Sequence, residues 1–387
     1  VIPEPIRDRH ELIEALTTAC ELEHGLSLQY LYAAFSLRTD PNDGLAGSDL
    51  IRVRSWAASI FFVAAQEMMH LAQASNLLLA IGGAPHLARP DFPQPAGHYP
   101  PDLGWELTGF DVDTVERFIA FESALPPGPG PTQRTSIGQM YAAIAEAFER
   151  LELPDDELFL GDPGDQITGA MVDFPLLIEV VDRSTAVDAC RLIMLEGEGS
   201  AIDHADCHEG IFRRIRSEMV EVEHPARRVA ASPVLDARGV EPHGTVITDP
   251  VTRAVQEISN DAYDVLVLAL LGFFAGGSHD PAAPAVKAAT LQLMTTVIRP
   301  LGELLTRLPI GAGHDGLNAG PSFEIGDTSA LPPHRDTARR VMAERLEQAA
   351  EAARRLVDDA ALASADAVVL GGVAATLEQC SGLLWTA

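Results

Sequence analysis

Apolar positions recur at helical spacing along most of the chain, and runs that alternate every second residue are scarce. The first predicted helix covers 10–38, with Leu16, Cys20, Ser27, Tyr30 and Ala34 on one stripe; the turn cluster Asp40-Pro41-Asn42-Asp43-Gly44 ends it. A second runs from about Ser48 to Ile81 and stops at Gly82-Gly83. A third spans Asp111 to Glu122, with Asp111 or Asp113 as cap. Val115, Phe118, Ile119 and Glu122 share its face, and Pro126-Pro127-Gly128-Pro129-Gly130-Pro131 breaks it. Further helices are predicted at Ser136–Arg150, Ser184–Leu195 and Asp203–Val222. Residues 225–248 read as a loop; helices follow at Thr252–Phe274, Pro284–Leu308 and Asp336–Asp359, before an Ala/Gly-rich end. The Pro/Gly-rich stretch 82–105 reads either as a lid or as an ordered crossover. The class is all-α. Residues 1–222 would form a four-helix bundle joined by long Pro/Gly-rich crossovers, and 223–387 a helical extension packed on it.

Polar residues on the apolar stripes change the picture. Glu67 and His70, three apart in Gln66-Glu67-Met68-Met69-His70, share a helix face with Ile60, Val63, Ala74 and Leu77. A Glu and a His turned toward a core must be paired, hydrogen-bonded or metal-bound, since an unpaired buried charge is too costly. Glu23 falls on the stripe of the first helix and Glu122 on that of the third, while Glu198 and His208 lie near the sixth. Four helical segments thus each offer an inward carboxylate or imidazole, close to the inventory of a di-metal four-helix bundle. Two divalent cations would balance four carboxylates, and two imidazoles would complete the shells while leaving positions open. Each residue also has a plainer reading: Glu23 as a solvated residue beside Glu21, Glu122 as a cap of the broken helix, Tyr30 and Tyr141 as ordinary core aromatics rather than donors near the site. Glu196 competes with Glu198, and His204 with His208; His24 points away from Glu23 and reads as a hydrogen-bonding histidine.

Composition removes other classes. Across 387 residues the net charge is −29, which argues against nucleic acid or an anionic membrane as partner. No uninterrupted apolar run of membrane-spanning length stands out, and four scattered cysteines read as free thiols in a reducing cytoplasm. Walker, G-x-S-x-G and G-x-G-x-x-G patterns do not stand out either.

Leu22-Glu23 with Leu28-Gln29-Tyr30-Leu31, the Gln66–His70 box running into Asn76-Leu77-Leu78 and Gly82-Gly83, Phe121-Glu122, Gly197-Glu198-Gly199, and His208 with Phe212 resemble the ferritin-like domain of iminophenyl-pyruvate dimer synthases. Those enzymes act in violacein and related bisindole biosynthesis. The resemblance covers roughly residues 10–325, including Ala319-Gly320-Pro321-Ser322-Phe323-Glu324. It implies Glu23, Glu67, His70, Glu122, Glu198 and His208 as metal ligands. Where a standard fourth helix would carry Glu three residues before the histidine, this chain has Ala205. The two metal positions are therefore expected to differ, the Glu67/His70 side filling first. The functional expectation is a di-iron (alternatively manganese) oxidase or oxygenase. It would use dioxygen or peroxide on a small, possibly amino-acid-derived substrate in specialised metabolism. The alternative is a metal-binding or peroxide-removing dimanganese protein without organic substrate.

Overall fold

The computed structural model describes residues 5–45, 47–94, 99, 103–123, 136–198, 206–237, 244–326, 334–359 and 361–386, apart from the side chains of Glu198 and Ser278. Two long antiparallel helices, α1 (Arg9–Ser36) and α2 (Gly47–Ala80), form its spine. The side chain of Asp8 caps α1 by accepting from the Glu11 amide, and α2 ends where Gly82 takes a φ of +82° that other residues rarely adopt.

The other half of the bundle is built from interrupted helices. α3 (Val112–Glu122) and α4 (Ile137–Arg150) occupy one position. After single turns at α5 (Asp155–Leu158) and α6 (Gly169–Val172), α7 (Arg183–Glu198) and α8 (His208–Glu218) occupy the other. α3 packs on α8 and α4 on α7, as the antiparallel partners of two broken rods. Both interruptions fall at the same level: Glu122 closes α3, Glu198 closes α7, and His208 opens α8. The predicted helix from Asp203 is thus corrected, since among the described residues it begins at His208; the Sγ of Cys207 caps it by accepting from the Gly210 amide at 3.4 Å.

The remaining helices cover the opposite face of α1. α9 (Pro250–Gly276) packs on α12 (Arg335–Val357), which pairs with α13 (Ser364–Thr386). α10 (Ala283–Gln292) passes through a six-residue π-helical stretch, Leu293–Ile298, into α11 (Arg299–Leu305), which meets α1. Where an Ala/Gly-rich tail was expected, α13 is a helix. Its apolar residues run around much of its circumference, so it carries no one-sided stripe to read. α9 and α13 are each long and apolar enough to cross a membrane, although charged residues interrupt both apolar runs. α9 is nonetheless largely buried within the protein, and its Asp264 pairs with Arg345 of α12 at 2.5 Å. Strands among the described residues are limited to a parallel pair, Pro233–Val234 and Thr245–Val246.

Enclosed between the bundle and the later helices, α1 is buried on every side from Leu22 to Tyr30. A helix that is enclosed all round must satisfy its polar residues internally. His24 does so: its ring nitrogens meet the Leu87 carbonyl at 2.8 Å and the Tyr263 hydroxyl at 2.6 Å. Burial first, then the charge of Arg89, lowers its pKa to about 3, so it is a neutral hydrogen-bonding histidine. The 82–105 stretch behaves as an anchored crossover over its described parts. Leu87, Phe92 and Trp105 are buried, and Gln94 pairs with Trp105.

Candidate metal centre

Glu23 of α1, Glu67 and His70 of α2, Glu122 of α3 and His208 of α8 converge in the bundle interior, each no more than 5% exposed. The helical spacing of 67 and 70 puts both on the inward face of α2. Glu122 and His208 arrive at the facing ends of α3 and α8, where the interruptions bring helix ends rather than continuous helix to the site.

Glu67 lies at the centre of an almost two-fold arrangement. Its Oε2 is 3.1 Å from Nδ1 of His70, and its Oε1 is 2.9 Å from Nδ1 of His208. On one side Glu23 places Oε2 3.7 Å from the same His70 nitrogen. On the other, Glu122 places Oε2 3.5 Å from the same His208 nitrogen. The outer oxygens of these two glutamates are both taken by tyrosines: Tyr141 donates to Glu23 Oε1 at 2.6 Å, and Tyr30 donates to Glu122 Oε1. Tyr30 and Tyr141 are therefore hydrogen-bond donors to the cluster as well as core residues. The outward ring nitrogens are also held, His70 Nε2 by Glu196 at 2.9 Å and His208 Nε2 by Gln66 at 3.2 Å.

The electrostatics follow from burying so many acids. Burial raises the Glu23 carboxyl to about 8, moderated by the hydrogen bond with His70 and reinforced by the Glu67 charge. Burial also acts against a charge on Glu67, but His208 and His70 overcome it and hold that carboxyl far below its usual range. Both imidazoles are pulled up against their own burial. His208 reaches about 10 through Glu67 and Glu122, and His70 is raised through Glu196, Glu23 and Glu67. Burial and the neighbouring carboxylates keep the two tyrosines protonated. Without a cation, protons on the imidazoles neutralise the cluster.

Glu67 Oε1 and His208 Nδ1 show that protons alone do not complete it. Although 2.9 Å apart, they are not aligned for a hydrogen bond, and both are buried without any such partner. Once the His208 proton is given up, as metal binding requires, these two buried atoms suit a shared cation. Two overlapping three-residue groups have donor atoms close enough to hold an ion each: Glu23, Glu67 and His70, and Glu67, Glu122 and His208. Each group could hold a metal ion, and Glu67 is common to both.

The profile of the ferritin-like family matches residues 16–217, which carry all of these side chains. The chain belongs to the ferritin-like family. It is 29% identical, over 90% of its length, to dichlorochromopyrrolate synthase of Lentzea aerocolonigenes. To the 2-imino-3-(indol-3-yl)propanoate dimerase of Chromobacterium violaceum it is 28% identical over 82% of its length. It spans only 39% and 34% of those two relatives. A solved ferritin-like protein from Caulobacter vibrioides superposes over 83% of the chain and all of its own length, with a TM-score of 0.52 and 20% identity, a likeness of fold.

Within this ferritin-like bundle the sequence expectation at the fourth position needs revision. The rule of a glutamate three residues before the histidine presumes one continuous helix, whereas α7 and α8 are separate. Ala205 and His204 lie outside the described residues, as does the side chain of Glu198. Glu196 sits behind His70, orienting its ring. Arg89 escaped sequence reading altogether: it is buried, donates to the Phe323 carbonyl and to Tyr263 Oη at 3.2 Å, and joins the crossover to α9. It lies in an aperiodic Pro-rich stretch, where no stripe marks a buried position.

Proposed function

We propose that this chain is a di-metal oxidoreductase of the ferritin-like type, with iron the favoured metal, acting on a small organic acid of amino-acid origin. The observation that carries this reading is the Glu67-centred cluster, whose Oε1 lies 2.9 Å from His208 Nδ1 with neither atom in an aligned hydrogen bond, an arrangement that suits a shared cation. Glu23, Glu67 and His70 would hold one metal, and Glu67, Glu122 and His208 the other; Glu198 is the further ligand that the family resemblance proposes. Bound there, the metal pair would supply redox capacity and open positions for dioxygen or peroxide.

The protein's own part is to hold that chemistry in place. Glu196 and Gln66 accept from the outer Nε2–H groups, which leaves each Nδ1 lone pair facing inward. Tyr30 and Tyr141 fix the outer carboxylate oxygens and keep two protons within reach of the cluster. Phe118 and Phe212 pack on Tyr30, with ring centroids 4.7 and 5.0 Å away, and exclude water from that side.

The organic substrate is supported by the two curated relatives, one named as a synthase of dichlorochromopyrrolate and the other as a dimerase of 2-imino-3-(indol-3-yl)propanoate, and by an apolar cavity of about 390 Å³ behind α1 and α2. That cavity favours this reading over a peroxide-removing dimanganese protein, which needs no such space. Four buried cysteines, none in a disulfide, suit a reducing cytoplasm as its setting. The test is oxygen uptake by anaerobically iron-loaded protein given an aromatic 2-imino acid formed in place. Uptake that requires both iron and the acid, and that Glu67→Ala abolishes, is expected. Peroxide removal at the same rate without the acid would favour the dimanganese-type reading instead.

A further inference from the structure

On the face of α1 and α2 that turns away from the metal cluster lies a long groove, roofed by α9, α10 and the π-helical stretch. It is lined from His24 to Phe35 on α1 and from Phe61 to Ala72 on α2, roughly three turns of each helix or about 17 Å. Its floor includes Ser27 and Ala64, one turn from Glu23 and Glu67 respectively, so this edge of the groove adjoins the cluster's side of both helices.

The interior offers no free polar group among its hydroxyls and its one histidine. Ser27 Oγ donates to the Ala64 carbonyl at 3.3 Å, Thr290 to the Lys287 carbonyl at 2.8 Å and Thr295 to the Leu291 carbonyl at 2.7 Å. His24 and Tyr263 satisfy one another. The wall is nevertheless open to a guest: Ala65 and Leu291 line it and are exposed, the latter by 44%.

Charge is confined to two cations. Lys287 meets Asp173 at 2.9 Å, and Arg299, twelve residues further along, meets Glu303 at 2.9 Å while lying over the Phe61 ring at 4.4 Å. Both carboxylate partners are solvent-accessible, Asp173 by 82%, so these pairs are weakly held and can exchange for another anion. Between the two cations the helix adopts the wider π form over Leu293–Ile298, placing Met294, Thr295 and Ile298 in the wall. Such stretches are rare and concentrate at functional sites.

We propose that this groove binds an organic acid with an extended apolar body, its carboxylate at Lys287 or Arg299. The proposal rests on the function proposed above only in taking that acid as the substrate; binding itself requires no metal. Two chemistries share these features, an aryl acid and a straight-chain one, and the test separates them.

Titration calorimetry with indole-3-propanoate and with dodecanoate, on metal-free and iron-loaded protein, reads binding directly. We expect one of the two to saturate near one per chain in both forms. Its uncharged amide should bind about tenfold more weakly. Ala65→Trp fills the groove at a solvent-open position that folding tolerates, checked by circular dichroism, and should weaken binding at least as much. Lys287→Glu or Arg299→Glu, whichever holds the head group, should do the same. If neither acid saturates, or if Ala65→Trp binds as the parent does, the proposal fails. Acid binding without metal uptake would overturn the di-metal reading and leave this site standing; metal uptake without acid binding would do the reverse.

Discussion

Glu67 contributes one oxygen toward each histidine, while Glu23 and Glu122 each contribute one, their other oxygens being held by tyrosines. The two halves differ mainly in what stands behind the imidazoles, a carboxylate (Glu196) behind His70 and an amide (Gln66) behind His208. A carboxylate behind a ligating imidazole raises its basicity. The His70 side is therefore expected to be the tighter position, for a reason other than the Ala205 departure. Stepwise iron titration should show two phases. Glu196→Gln should weaken the first by roughly 10–100-fold and draw the two together; phases unchanged by that substitution would refute the assignment.

Protonation gives a second check on these residues. The metal-free fold holds a proton on His208 up to about pH 10 and on Glu23 up to about 8, against ordinary values of 6.5 and 4.5. The stability that His208 gains from its acidic partners is fully present below pH 6.5 and lost as pH rises through about 10. Glu23 acts in the same sense, since its raised carboxyl must ionise in an unfavourable setting between 4.5 and about 8. Metal-free protein should therefore melt at lower temperature as pH climbs from 6.5 to 10, and metal affinity should rise across that window because binding expels these protons. A melting temperature that rises over the same range would contradict the protonation scheme.

At the scale of helices, what could be read from sequence was what repeats locally. Glu67 and His70 stand on one unbroken apolar helix, so a three-residue spacing sufficed to place them together. Glu122 was readable from the stripe Val115, Phe118 and Ile119, and its role as the last residue of α3 does not remove it from the cluster. Phase is lost across a break, which is why spacing could not decide between Glu196 and Glu198, or forecast that α8 starts at His208. The junction of α1 with α11 was equally invisible, because nothing local links Phe35 to Gly302. A Cβ at Gly302 would approach the Phe35 ring to 2.5 Å. Gly302→Ala should therefore destabilise the protein by about 1–3 kcal/mol, seen as a lower urea midpoint, while metal content per folded chain stays the same.

For the whole molecule, α1 is the shared wall. Its one side carries Glu23 and Tyr30 toward the metal cluster, and its other side carries His24, Leu28 and Leu31 toward the groove and the later helices. The all-α bundle was legible because helical periodicity pervades the chain, and the family because its motifs cluster at the site. The groove was not, since it arises where distant helices meet. The most direct test of the central claim is metal content after anaerobic iron loading and removal of excess. About two irons per chain are expected for the parent, about one for Glu23→Ala or Glu122→Ala, and close to none for Glu67→Ala, which both positions share. A parent that retains less than about one iron per chain, or a Glu67→Ala variant that retains as much as the parent, would contradict the di-metal centre.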